Sequence, residues 1–209
     1  LAAAVPAIIL PYYSVIGGWV TKYMADFIGG KGTTAAQDGY FGNFISQVNE
    51  PLIYFLIFMA LTVFIVLFGV EKGIEKVSKV MMPVLVILTL FIAVYALFMP
   101  GAIEGFKYYV TPDFSKFSAA TVLSAMGQLF YSMSLAMGIM ITYGSYMKKE
   151  VNLESSVSQI EIFDTGIAFL AGLMIIPAIF ATGNEAYLTK GPGLMFIVLP
   201  KVFNSMPFG

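Results

Sequence analysis

Long apolar stretches alternate with shorter polar ones along this chain, and the apolar stretches have the length a bilayer imposes. About 20 residues of helix cross a hydrocarbon core, and five segments meet or approach that length: 1–24, 52–70, 80–100, 122–147 and 163–182. The first, LAAAVPAIILPYYSVIGGWVTKYM, carries Pro6 and Pro11, which a membrane helix tolerates where neighbouring helices satisfy the freed carbonyls. Trp19, Lys22 and Tyr23 mark its interfacial end. Residues 25–51 read as a polar loop, and Pro51 suits the first turn of the next helix. GVEKGIEKVSK joins the second and third spans, and the density of Lys72, Lys76 and Lys79 in so short a connector places it on the cytoplasmic side. Alternation then puts 148–161, with Lys148 and Lys149, on that side, and the loops 25–51, 101–120 and 183–209 opposite. After Gly183 the apolar run 194–199, bracketed by Pro192 and Pro200, is too short to span and predicts a short helix in the outer mouth.

Composition agrees with the pattern. With 59% hydrophobic and 11% charged residues and a mean hydropathy of +0.87, too little polar surface remains to coat a water-soluble globule. The expectation is an all-α, multi-pass integral membrane protein with one helical domain over residues 1–209 and the lipid bilayer as a partner. Cysteine and histidine are both absent, which removes a disulfide framework, Cys-based metal sites and the commonest general base. A net charge of −1 leaves no basic face for nucleic acid. The chain begins at Leu1 inside an apolar run without a basic flank, so it reads as an excised segment rather than as a signal peptide.

Candidate chemistry starts with GQLFYSMSLAMGIMITYGSY (127–146), where Gln128, Ser132, Ser134 and Gly138 interrupt an otherwise apolar span. Residues two apart point about 200° from one another on a helix, so Ser132 and Ser134 share a site only if the helix unwinds. Gly138 has poor helix propensity, and a break is expected near 133–138. Unpaired backbone at membrane depth is admissible where it lines a cavity, and there it serves as a ligand for ions and zwitterions. The competing reading is packing, because Ser124, Gly127, Ser134 and Gly138 also approximate a small-residue helix face.

Asp164 begins DTGIAFLAGLMIIPAIF, beside a membrane segment and without an adjacent lysine. A carboxylate inside a span costs about 2.5–3.5 kcal/mol on insertion scales, so it calls for compensation. Na⁺ would supply it, with Ser132 and the carbonyls of a broken helix completing an oxygen cage. A solvated position at the cytoplasmic boundary is the alternative. Tyr13 lies about 9 Å along the axis from Trp19, inside the membrane if Trp19 marks its edge, whereas Tyr12 faces elsewhere and reads as packing.

Four stretches carry a family resemblance: YYSVIGGW (12–19), GQLFYSMSLAMGIMITYGSYM (127–147), DTGIAFLAGLMIIPAIFATG (164–183) and GPGLMFIVLPKVF (191–203). In order, they resemble the neurotransmitter:sodium symporter family, in particular its bacterial amino-acid transporters. The resemblance implies part of a LeuT-type inverted-repeat bundle, with this chain similar to transmembrane helices 3 to 7 and the extracellular loop that follows, 183–209. It implies that Ile9, Tyr13, Tyr131, Ser132, Ser134 and Met137 line the substrate site, with the Tyr13 hydroxyl on the amino-acid carboxylate and Tyr131 as an aromatic lid. It implies sodium ligands at Ser132 and Asp164, an outer-gate position at Gln128 and an inner-gate position at Tyr146.

Asp164 falls where the family often has asparagine, and Ala168 where chloride-dependent members have serine. A fixed carboxylate in place of bound chloride implies a chloride-independent, sodium-coupled importer of a neutral or hydrophobic amino acid. No organic cofactor is implied, and the expected location is a bacterial inner membrane. The family's remaining helices supply the other ligands, so these residues alone are expected to be inactive. Two other classes remain at this point: a non-transporting receptor or scaffold subunit, and an intramembrane aspartyl enzyme, which lacks the second carboxylate such chemistry needs.

Overall fold

The computed structural model describes residues 3–69, 73–183, 188, 191 and 193–206, and every regular element among them is helical. In order they are α1 (Ala4–Ile28), α2 (Gly32–Ala35), α3 (Tyr40–Ser46), α4 (Asn49–Leu67), α5 (Glu75–Leu97), α6 (Ala102–Val110), a 3₁₀ turn (Phe114–Lys116), α7 (Ala119–Ser132), α8 (Ile139–Tyr146), α9 (Leu153–Ala181) and α10 (Gly193–Ser205). Four of them, α1, α4, α5 and α9, are long and apolar enough to cross a membrane. The fifth expected span is present as two shorter helices, α7 and α8, separated by residues 133–138.

Several helices begin before or continue beyond the apolar stretches that predict them, while α4 and α5 end at Leu67 and Leu97, short of the expected 70 and 100. The first continues four residues past Met24 to Ile28 and so includes Asp26, and the last long helix starts at Leu153 rather than near residue 163. Local polar caps explain such starts. Asn152 accepts the Ser155 amide at 3.1 Å at the head of α9, and Ser118 accepts the Thr121 amide at 3.2 Å at the head of α7. Each such cap is worth about 1 kcal/mol. Pro200, expected to end the short loop helix, is instead buried inside α10, which continues to Ser205. The segments 25–51 and 101–120, read as loops, contain α2, α3 and α6. Lys72 lies outside the described residues.

The chain divides into two compact units, one of Leu1–Pro11 and Val110–Phe169, the other of Tyr12–Tyr109 and Leu170–Gly209. The second unit holds two buried clusters. Tyr23, Ala35, Phe41, Phe44 and Phe196 form one, between the end of α1, the helices α2 and α3, and α10. Ala96, Ala178, Ile179, Val198 and Val202 form the other, where α10 packs on α5 and α9. Close approach of α1 to α4 depends on Gly18, because a Cβ there would lie 2.8 Å from the Phe55 nitrogen. The first unit contains the interrupted span and the N-terminal part of α9.

Candidate functional site

The interruption is built by a defined helix stop. At the end of α7 the Leu135 amide donates to the Phe130 carbonyl at 2.9 Å and the Ser134 amide to the Tyr131 carbonyl at 3.2 Å. This is the paired 6→1 and 5→2 closure of a Schellman motif, whose left-handed position is ordinarily glycine. Here Ser134 occupies it with φ 54°, followed by Ala136 at φ 60° and Gly138 at φ 75°. Left-handed backbone costs a non-glycine residue about 1–3 kcal/mol and collects at functional sites. Helix resumes when Gly138, as N-cap, presents its carbonyl to the Thr142 amide at 3.1 Å and the Thr142 hydroxyl at 3.0 Å. The peptide carbonyls from Ser132 to Met137 therefore lie outside both helical ladders.

Ser132, the last residue of α7, faces Asp164 of α9 within the same unit. Its hydroxyl lies 2.7 Å from one carboxylate oxygen and 2.8 Å from the other. Asp164 is half-buried and sits well inside the 29-residue α9, eleven positions after Leu153. The two residues that the sequence singles out as oxygen ligands are thus brought together at the break. The set formed by one carboxylate, one hydroxyl and a run of unladdered carbonyls is an all-oxygen donor set of the kind that hard cations take.

The other expected site residues are disposed as follows. Tyr131 precedes Ser132 directly, and Ser134 and Met137 lie in the break, half-buried. Gln128 stands one turn before Ser132 on α7, and Ala168 one turn after Asp164 on α9, so each shares a face with its partner. Ile9 is half-buried in α1, while Tyr13 is 53% exposed there with its ring edge-on to Tyr12 at 5.8 Å. Tyr146 ends α8 and is not brought to the break, from which it is separated by about 12 Å of helix at 1.5 Å per residue. At Gly127 an added Cβ would meet nothing within 4 Å among the described residues.

A second polar cluster escaped the sequence reading. Lys22, with Asp26 one turn later on α1, is buried against Glu50 at the start of α4 and Tyr40 of α3. Its signal was present as opposite charges at i and i+4 in an apolar helix. Hydropathy ends the span at Met24, which leaves Asp26 outside it, and Glu50 falls in the polar stretch 25–51.

An all-helical membrane protein with a span broken beside a carboxylate defines a class, that of ion-coupled transporters with discontinuous helices, a rule drawn from transporters of the LeuT type themselves. The comparisons make the class a family. Residues 41–209 match the sodium:neurotransmitter symporter family, and the chain belongs to it. It is 40% identical over 205 residues to the uncharacterized sodium-dependent transporter YhdH of Bacillus subtilis, covering 97% of this chain and 45% of that protein. An uncharacterized sodium-dependent transporter of Haemophilus influenzae is 35% identical over 205 residues, covering 95% of this chain and 44% of its own. The structure is similar to the crystal structure of MhsT in complex with L-phenylalanine, with a TM-score of 0.89 and 39% identity over 99% of this chain and 47% of that one. The chain thus has the LeuT-type fold and spans less than half the length of these relatives. The family is one of transporters rather than enzymes.

Proposed function

We propose that this chain forms the sodium-facing part of a symporter that imports a neutral or hydrophobic amino acid by alternating access, without a requirement for chloride. The observation that carries the reading is the Ser132 hydroxyl set on both oxygens of Asp164 at the mouth of the unwound segment. Sodium, as the coupling ion, is held by Ser132, Asp164 and carbonyls of the break. Asp164 supplies in covalent form the negative charge that chloride-dependent transporters borrow from solution, and Ala168, one turn away on α9, provides no hydroxyl for an anion.

Substrate contacts are assigned to Ile9, Tyr13, Tyr131, Ser132, Ser134 and Met137. The apolar walls Ile9, Tyr131 and Met137 favour a neutral or hydrophobic side chain, and the Tyr13 hydroxyl takes the carboxylate. Gln128 and Tyr131 act at the outer gate and Tyr146 at the inner one. MhsT, whose crystal structure holds L-phenylalanine, supports a substrate of this kind. The short connector around Lys76 and Lys79 faces the cytoplasm of a bacterial cell, and the residues described form one membrane-embedded helical region within a larger bundle.

Uptake of radiolabelled phenylalanine or leucine by the intact protein, driven by a gradient of sodium against one of potassium, tests the reading. Sodium-driven accumulation supports it, and equal uptake in the two gradients refutes it. Liposomes that hold residues 1–209 alone are expected to show no such accumulation.

A further inference from the structure

Lys22 is only 6% exposed, and its ammonium is 2.9 Å from Asp26 and 2.9 Å from Glu50. The Tyr40 hydroxyl donates to the second Asp26 oxygen at 2.6 Å. The rings of Tyr40 and Tyr54 lie 5.9 Å and 5.4 Å from the same ammonium, within cation–π range. One positive and two negative charges meet there, so Lys22 is what holds two carboxylates of like sign at one place. Removal of one partner from a buried charge cluster is far more disruptive than its net stabilisation suggests, because the rest is left unpaired.

What this cluster joins is the more informative fact. Lys22 and Asp26 belong to α1, Tyr40 to α3, and Glu50 and Tyr54 to α4. The turn of α3 that begins at Tyr40 also presents Phe41, whose ring stacks on Phe196 of α10 at 5.2 Å and 7°. Trp19 meets both rings edge-on, at 5.1 Å and 5.6 Å, and Tyr23 meets Phe196 at 5.3 Å. The seat of α10 is therefore an aromatic shelf whose other face is fixed by the charge cluster. A second link, Lys201 of α10 to Asp38, is exposed on the aspartate side, where solvent screening leaves such pairs weak.

We propose that Lys22 is a positioning residue. Through Asp26, Tyr40 and Glu50 it locks α3 and the start of α4 to the end of α1, and thereby sets the resting place of α10. The lock itself does not depend on the transporter reading; only its consequence does, namely that a loosened α10 slows the closing of the outer face.

The test uses the intact protein in lipid nanodiscs with a single reporter thiol; residues 1–209 contain no cysteine, and any elsewhere in the intact protein is replaced first. Ala35→Cys places the thiol in the aromatic cluster, and Ala102→Cys places it in a buried position on α6, away from that cluster. Both are expected to resist maleimide. In a Lys22→Met background the Ala35→Cys thiol is expected to react about tenfold faster, on the scale of a local opening, while Ala102→Cys stays protected. Tyr40→Phe, which removes one hydroxyl and strands no charge, should accelerate Ala35→Cys in the same direction, and Lys201→Met should not. An unchanged Ala35→Cys rate in both variants, or an equal rise at Ala102→Cys, overturns the proposal. In sodium-driven uptake, Lys22→Met should lower the maximal rate and leave the apparent sodium affinity unchanged. Loss of sodium dependence in the unsubstituted protein would count against the transporter reading alone.

Discussion

The Ser132 hydroxyl reaches both oxygens of Asp164, at 2.7 and 2.8 Å, although 32 residues separate the two in sequence. A hydroxyl has one proton to donate and lone pairs to spare. The same pair that hydrogen-bonds directly can therefore turn its oxygens jointly toward a cation, with the serine proton rotated outward. Ser132→Ala removes one ligand and the carboxylate's hydrogen bond together. Its apparent sodium affinity in uptake assays is expected to fall about tenfold, a difference of roughly 1.4 kcal/mol. Ser132→Thr keeps the hydroxyl and should stay within about threefold of the parent, because the change spares the ligand atom. Equal affinities for the alanine and threonine variants would refute the assignment.

Charge at Asp164 is a separate question from its geometry. If the carboxylate replaces a bound anion, sodium-driven uptake is expected to be the same in chloride and in gluconate. Asp164→Asn, nearly isosteric but neutral, should lose most uptake in both media. The double variant Asp164→Asn/Ala168→Ser restores a hydroxyl one turn away on the same face of α9. That variant should regain uptake in chloride only. Strong chloride dependence in the unsubstituted protein would remove the reason for the substitution pattern.

The break itself was legible in the sequence because two signals conflict there: apolar length demands a continuous helix, and Ser132, Ser134 and Gly138 work against one. Its closure was not legible, since a Schellman stop ordinarily announces itself by glycine and here the left-handed position is Ser134. The long spans α4 and α5 follow directly from hydropathy. The apolar run 194–199 announces α10, but not its continuation past Pro200, which is accommodated inside a helix whose flanks are buried against two clusters. Most instructive is Lys22. Its role depends on Glu50 and Tyr40, 28 and 18 positions later in the chain, and a hydropathy profile carries no information about which polar residues beyond a span fold back onto it.

Gly138 and Gly127 give a paired prediction about the interrupted span. With φ 75°, Gly138 holds a conformation that costs an L-residue about 1–2 kcal/mol. Gly127 is inside α7, where no described residue lies within 4 Å of an added Cβ and alanine gains up to about 1 kcal/mol of helix propensity. Thermal melts of the intact protein in detergent should show Gly138→Ala destabilised and Gly127→Ala unchanged or more stable. The reverse order would mean that residues 133–138 do not keep their left-handed turns in solution.

Gly18 tests the packing of α1 on α4. An added Cβ would approach the Phe55 backbone nitrogen and Cα at 2.8 and 2.9 Å, and backbone cannot rotate aside as a side-chain tip can. Gly18→Ala is expected to cost about 1–3 kcal/mol by overpacking, read as a lowered melting midpoint. Gly42→Ala, in α3 with nothing within 4 Å among the described residues, serves as the neutral control. Equal midpoints for the two would show that α4 does not approach so closely.

Tyr40 makes stability depend on pH in a window that can be worked out. It lies in α3, outside the membrane-spanning helices; burial raises its phenol pKa above the ordinary value, and the hydrogen bond it donates to Asp26 raises it further. A pKa raised on folding means that the folded state holds its proton more tightly than the unfolded chain, whose tyrosines titrate near pH 10. The stabilisation is therefore complete below about pH 10 and is lost as pH climbs through the folded-state value. Other groups titrate at alkaline pH too, so the useful quantity is the difference in melting midpoint between the parent protein and Tyr40→Phe. That difference should be constant from about pH 7 to pH 9 and shrink above pH 10, when phenolate and the Asp26 carboxylate repel one another. A difference that stays flat into the alkaline range would mean that the Tyr40 hydroxyl does not donate to Asp26, and the lock around Lys22 would lose its link to α3.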